Sequence, residues 1–150
     1  MLIGADRVSP SGPGHTPQIS ELIREMTPGG PFNFSFLEAF GVPLRRLEAG
    51  ETLFRAGEEG KHMFLVVEGQ IEVRVNDKRV ETVGLHGIVG EMALIDKAPR
   101  SATAVAATAG EVAVIDRDVF LALVGESPAF SLYVMKLMAA RIRRMNQQAP

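Results

Sequence analysis

There is no cysteine among the 150 residues. Disulfides, thiolate nucleophiles and cysteine-based zinc sites are excluded, and a reducing, cytoplasmic setting fits. Histidine is scarce as well, and His15, His62 and His86 do not form metal-ligand spacing. No apolar run approaches the roughly 18 residues that a membrane-spanning helix needs, so no membrane contact is expected. The opening "MLIGADRVSPSGPGHTP" lacks the long apolar core of a signal peptide. Basic charge is not in excess either. The formal net charge is −2 and the pI is about 5.9, which argues against a surface built for nucleic acid. What remains is an ordinary globular composition, 46% hydrophobic and 23% charged, at the length of one domain with a core of its own.

The chain changes character along its length. Residues 1–16 are rich in Pro, Gly and Ser and read as a flexible tail. Residues 17–41 read as a helical segment. In "PQISELIREM", Ile19, Leu22, Ile23 and Met26 recur at helical spacing, and "TPGGP" ends the pattern. "FNFSFLEAF" then suggests a second short helix. Residues 42–150 read as the main domain.

From Val42 to Asp116 the pattern is one of short strands punctuated by glycines. "QIEVRV" alternates, with Ile71, Val73 and Val75 expected on one face and Glu72 and Arg74 on the other. "NDK" reads as a hairpin turn and "VETVG" as the returning strand. "SATAVAAT" and "EVAVID" give two more strands. Short strands with regular turns predict a β-sandwich or closed roll rather than a parallel sheet.

The C-terminal part reads as helical. "DRDVFLALVGESP" predicts a short helix capped by Asp116 or Asp118. Ser127 followed by Pro128 is a start signal, a capping hydroxyl before proline at the first helical position. Beyond it Phe130, Val134, Leu137, Met138, Ile142 and Met145 are expected to keep one apolar face. Arg141, Arg143 and Arg144 are expected near the end, where cations suit the helix dipole.

The chemistry concentrates in "VGEMALIDKAPRSATAV" (Val89–Val105), where Glu91 and Arg100 stand in otherwise apolar sequence. Gly90 falls at a strand-to-helix turn, where a missing Cβ admits close approach of a ligand. A helical turn over "EMALID" would point free amides back toward Gly90, and Arg100 would add full charge and a planar fork for phosphate. A carboxylate facing that phosphate would repel it, so Glu91 is expected to accept from a sugar hydroxyl. Together they describe a small phosphorylated sugar ligand. A second reading stays open: Glu91 and Arg100 form an ion pair that closes a loop, and Gly90 is a turn residue only.

"GEMALIDKAPRSATAV" resembles the phosphate-binding cassette of cyclic nucleotide-binding domains. These occur in catabolite-activator-type transcription factors, protein kinase regulatory subunits and gated ion channels. The matching positions are Gly90, Glu91, Met92, Ala93, Leu94, Pro99, Arg100, Ser101 and Ala102. "LEAGETLFRAGEEGKHMFLVVEGQIEV" resembles the family's upstream frame, with glycines at 50, 57 and 69. The likeness runs from about Leu44 to Met145. Two places depart from it: Val89 replaces a frequent aromatic, and His86 stands in a variable turn.

The resemblance implies a mainly β fold with flanking α, an eight-stranded jelly-roll-like β-roll with N-terminal helices and a C-terminal lid helix. Arg100 would hold the cyclic phosphate, with amides near Gly90, Met92 and Ala93 and the hydroxyl of Ser101. Glu91 would bind the ribose 2′-hydroxyl. In the lid, Arg141 would stack over the purine, with Met145 and Asn146 as further candidates; otherwise these arginines are a solvated, dipole-complementing face. The implied function is a cAMP or cGMP sensor that moves its C-terminal helix to regulate a partner or an effector domain. The alternative is a structural or interaction domain that has lost its ligand. No cofactor is expected beyond that ligand, and no nucleophile–base pair suggests an enzyme. A protein partner or a homodimer through the C-terminal helix is consistent with this reading. Nucleic acid is not expected, because no helix-turn-helix is visible.

Overall fold

Alternation and turn chemistry between Leu44 and Asp116 yield eight strands, one for each short β-pattern in this stretch. In the computed structural model, which describes Leu37 and residues 41–148, they are β1 (Leu44–Leu47), β2 (Thr52–Phe54), β3 (His62–Glu68), β4 (Ile71–Val75), β5 (Lys78–Val83), β6 (Ile88–Val89), β7 (Thr103–Ala106) and β8 (Gly110–Asp116). The expected tail over 1–16 and helical segment over 17–41 lie outside the described residues, apart from Leu37 and Gly41. A short helix, α1 (Glu91–Asp96), interrupts the strands between β6 and β7. After β8 come α2 (Arg117–Glu126) and α3 (Pro128–Gln148).

The strands form two four-stranded sheets, ordered β1-β8-β3-β6 and β2-β7-β4-β5. Every pairing is antiparallel. This is the mainly β roll that the sequence predicts. One cluster of buried side chains draws on all eight strands: Leu47, Leu53, Phe54, Phe64, Val66, Ile71, Val83, Val89, Ala104, Ala106 and Val112. Burying a side chain of the larger kinds contributes about 1.5–3 kcal/mol, so this shared core is what closes the roll. Pro43–Phe120 makes up one compact unit, and the residues from Leu121 onward belong to a second.

Local chemistry explains the connections. Val75 pairs with Lys78, and Asn76 and Asp77 between them have φ of 52° and 64°. A two-residue hairpin turn of type I′ needs positive φ at both central positions, which Asn and Asp tolerate. The expected alternation of β4 fails at its end. Ile71 is buried and Val73 packs on the core, but Val75 is 40% exposed. The pairing of β4 with β7 ends at Arg74 and Thr103, so Val75, next to the hairpin turn, lies beyond the end of that pairing.

The caps of the helices follow the sequence. The Val119 amide donates to Asp116 Oδ1 at 2.9 Å, which selects Asp116 over Asp118 as the cap of α2. In the second unit the Phe130 amide donates to Ser127 Oγ at 3.0 Å, and Pro128 opens α3. Two expectations for α3 are corrected. The helix continues to Gln148, so its last turn holds no basic residue and the arginines lie further in. Its apolar face is also buried only in part: Phe130 and Val134 are buried, whereas Ile142 and Met145 are exposed. Among the described residues no single helix is long and apolar enough to cross a membrane.

Candidate functional site

Strand β6 is only two residues long and pairs Val89 with Phe64 of β3. Gly90 then turns the chain with φ 81° and ψ 7°, a left-handed conformation that glycine takes without steric cost. Space demands glycine as well, since a Cβ there would lie 2.6 Å from Arg100 Nη1. Helix α1 starts at once. Glu91, Ala93 and Leu94 face inward and are buried, while Met92 and Ile95 are exposed.

The far end of α1 is tied down. Lys97, at φ 59°, closes it by donating its amide to the Ala93 carbonyl at 3.1 Å, the αL form of helix termination. Asp96 Oδ1 accepts the Ala98 amide at 3.0 Å. Arg117, opening α2, donates from Nη1 to the Leu94 carbonyl. The first-turn amides, by contrast, have no acceptor within their own helix.

Arg100 is held by the loop between β2 and β3. The Gly57 amide donates to the Arg100 carbonyl, and the Arg100 amide donates to the Glu58 carbonyl, both at 2.8 Å. Its side chain turns inward and is only 8% exposed. Nη1 donates to the Gly90 carbonyl at 2.9 Å and Nη2 to the His62 carbonyl at 2.8 Å. The guanidinium carbon lies 4.2 Å from the centre of the Phe54 ring and 5.7 Å from that of Phe64. Burial pulls its pKa down, and the charges of Glu58 and Glu91 push it back up. Arginine stays protonated throughout the accessible range. Its hydrogen bonds thus go to carbonyls, not to the Glu91 carboxylate, which acts on it through space.

The structure therefore brings Gly90, Glu91, Ala93 and Arg100 together. Ser101 follows Arg100 and is exposed, as is Met92. Arg141, Met145 and Asn146 belong to α3 in the second unit, where Arg141 is half-buried and the other two are exposed. Sequence reading missed Phe54, Glu58, Gly60 and the His62 carbonyl as parts of the arginine's surroundings. Gly60 carried a faint signal as one of a regular series of glycines; the ring contact from Phe54 carried none. A cleft of about 450 Å³ opens beside α1, lined in part by Gly60, Lys61, Ala93, Lys97 and Arg117. Neither Glu91 nor Arg100 lines it, so it is not the cradle described above.

A preorganised guanidinium beside the first turn of a helix suits an anion with several oxygens, and a buried carboxylate nearby suits hydroxyl donors. The family profile described as "Cyclic nucleotide-binding domain" matches residues 44–127. The chain belongs to the cyclic nucleotide-binding domain family. As a cyclic nucleotide-binding domain it is a binding module, and the match runs from β1 to the cap of α3, enclosing the whole cradle. It is 34% identical over 76 residues to the cAMP-dependent protein kinase type II regulatory subunit of Drosophila melanogaster, covering 51% of this chain and 20% of that one. It is 43% identical over 81 residues to the cGMP-dependent protein kinase of Eimeria tenella, covering 53% of this chain and 8% of that one. The chain thus spans at most a fifth of the length of these relatives. A crystal structure of a cyclic nucleotide-binding domain from Methylobacillus flagellatus superposes with a TM-score of 0.66 at 25% identity, covering 87% of this chain and 80% of that one.

Proposed function

We propose that the chain binds a 3′,5′-cyclic purine nucleotide, cAMP or cGMP, reversibly and without hydrolysing it. The observation that carries this reading is the buried guanidinium of Arg100, fixed by the carbonyls of Gly90 and His62 beside the first turn of α1. In this reading Arg100 and the amides around Gly90, Met92 and Ala93 take the cyclic phosphate, with Ser101 at its edge. Glu91 takes the ribose 2′-hydroxyl. Both nucleotides share the sugar and phosphate, so only contacts to the base separate them. One hydrogen bond is worth about 0.5–1.5 kcal/mol net, which limits the preference to about tenfold.

The base is proposed to meet α3, with Arg141 stacked over it and Met145 and Asn146 alongside. Base contact then shifts the helix, since a ligand moves a conformation only through contacts that differ between its states. The output reaches a protein partner or an effector domain. Equilibrium dialysis followed by chromatography tests the first claim: nucleotide should be retained by the protein and recovered unchanged. Enzyme-dependent release of AMP or GMP would overturn it. Amide exchange tests the second: residues 137–146 should slow on binding by more than the fold as a whole, and equal slowing throughout would count against a moving helix.

A further inference from the structure

Arg100 rests on an aromatic surface that the binding reading leaves without a task. Its guanidinium carbon sits 4.2 Å above Phe54, and Phe54 is itself stacked on Phe64, with ring centres 5.9 Å apart and planes inclined by 25°. Phe54 is the last residue of β2 and only 9% exposed, and Phe64 is 6% exposed. The ring therefore has little freedom, and its face is presented to the arginine. Two glycines also stand against it: a Cβ on Gly60 would fall 2.5 Å from the guanidinium carbon, and one on Gly90 would fall 2.6 Å from Nη1 and 3.3 Å from the Phe54 ring. The planar group thus lies in a close-fitting slot formed by the ring and two glycines.

A slot of this kind does what hydrogen bonds alone do not. The two carbonyls fix the terminal nitrogens in the plane, and the ring fixes the plane itself. A flat cation over a ring face is attracted by the ring's quadrupole, more strongly when water is excluded. An arginine held in this way loses little rotational freedom when it meets an anion.

We infer that Phe54 is a positioning residue for the phosphate ligand Arg100: its ring sets the plane of the guanidinium before the nucleotide arrives. The inference rests on the binding reading above, in which Arg100 takes the phosphate. It adds a residue outside the cassette, 46 positions upstream of the arginine, that acts on affinity without touching the ligand.

Two measurements separate its failure from that of the binding reading. The first needs no nucleotide. In the free protein the Arg100 side-chain N–H resonances should be shifted by the Phe54 ring current and should show slow guanidinium rotation. Phe54→Leu should abolish both, and Phe54→Tyr should keep them. Unchanged Arg100 resonances in Phe54→Leu would overturn the inference whether or not the protein binds nucleotide. The second is a double-mutant cycle read by titration with cAMP. Phe54→Leu should weaken binding by about tenfold in the wild-type background, and Phe54→Tyr by about twofold or less. In an Arg100→Ala background Phe54→Leu should add no further loss. A loss of equal size in both backgrounds would mean that Phe54 acts through the core alone and would overturn the inference. Absence of binding by the wild-type protein would overturn the binding reading and this inference's claim on affinity, and the resonances would still decide whether the slot exists.

Discussion

Gly60→Ala adds one methyl group at the tightest point of the cradle. The new Cβ would lie 2.5 Å from Cζ and 2.6 Å from Nε of Arg100, and 2.8 Å from Cβ of Ala93. Separations below about 3 Å are not tolerated, so something must move. If the arginine moves, it leaves the Gly90 and His62 carbonyls and slides off Phe54. If Ala93 moves, α1 shifts and carries its first-turn amides with it. Either relief displaces one half of the proposed phosphate cradle. Overpacking of this kind costs about 1–3 kcal/mol of stability, which lowers the thermal midpoint by several degrees in a domain of this size. Misplacing the cation should cost binding about tenfold or more. Gly84→Ala is the matched control, because its Cβ would meet nothing within 4 Å and its φ is not in the left-handed region. Scanning calorimetry and titration with cAMP on the two variants provide the test. A Gly60→Ala protein that melts lower but binds like the wild type would refute the idea that the position of Arg100 matters for the ligand. One that neither melts lower nor binds more weakly would show that the loop relaxes freely.

Other variants probe separate links. Arg100→Ala should lower affinity by about 30-fold or more, since a buried anion left without its cation costs about 2–5 kcal/mol; circular dichroism should show the roll intact, and wild-type affinity would move the phosphate elsewhere. Ser127→Ala removes the cap that accepts the Phe130 amide and should destabilise the protein by about 0.5–2 kcal/mol in urea unfolding. Glu51 accepts the Glu48 amide and an Arg45 nitrogen, which hold its carboxyl below the ordinary value of 4.5. The stability it adds is present above that ordinary value and is lost as the pH falls through the lower folded value. Wild type and Glu51→Gln should therefore differ at neutral pH and converge in acid, and a constant difference across that range would refute the assignment.

Much of the fold was legible because it rests on local rules. The Asn76–Asp77 turn, the Asp116 and Ser127 caps and the strand run to Asp116 follow from residue types within a few positions of one another. What the sequence did not convey depends on contacts between distant segments. The exposure of Val75 follows from where the pairing of β4 with β7 ends, not from anything within "IEVRV". The outward turn of Ile142 and Met145 depends on where packing ends, which helical periodicity does not encode. At the site, Gly90, Glu91 and Arg100 stood out because a glycine, an acid and a base are conspicuous in apolar sequence. Phe54 and the His62 carbonyl did not stand out. A phenylalanine in a strand looks like any core residue, and a backbone carbonyl has no sequence signature.

The central claim is that this roll holds a cyclic purine nucleotide on Arg100 and Glu91. Isothermal titration of the wild-type protein with cAMP and with cGMP tests it most directly. The account predicts saturable one-to-one binding of at least one of them, with affinities that differ by about tenfold or less. No saturable heat with either nucleotide would contradict it, and so would a preference of about a thousandfold, which would require a base-reading residue that the account does not contain.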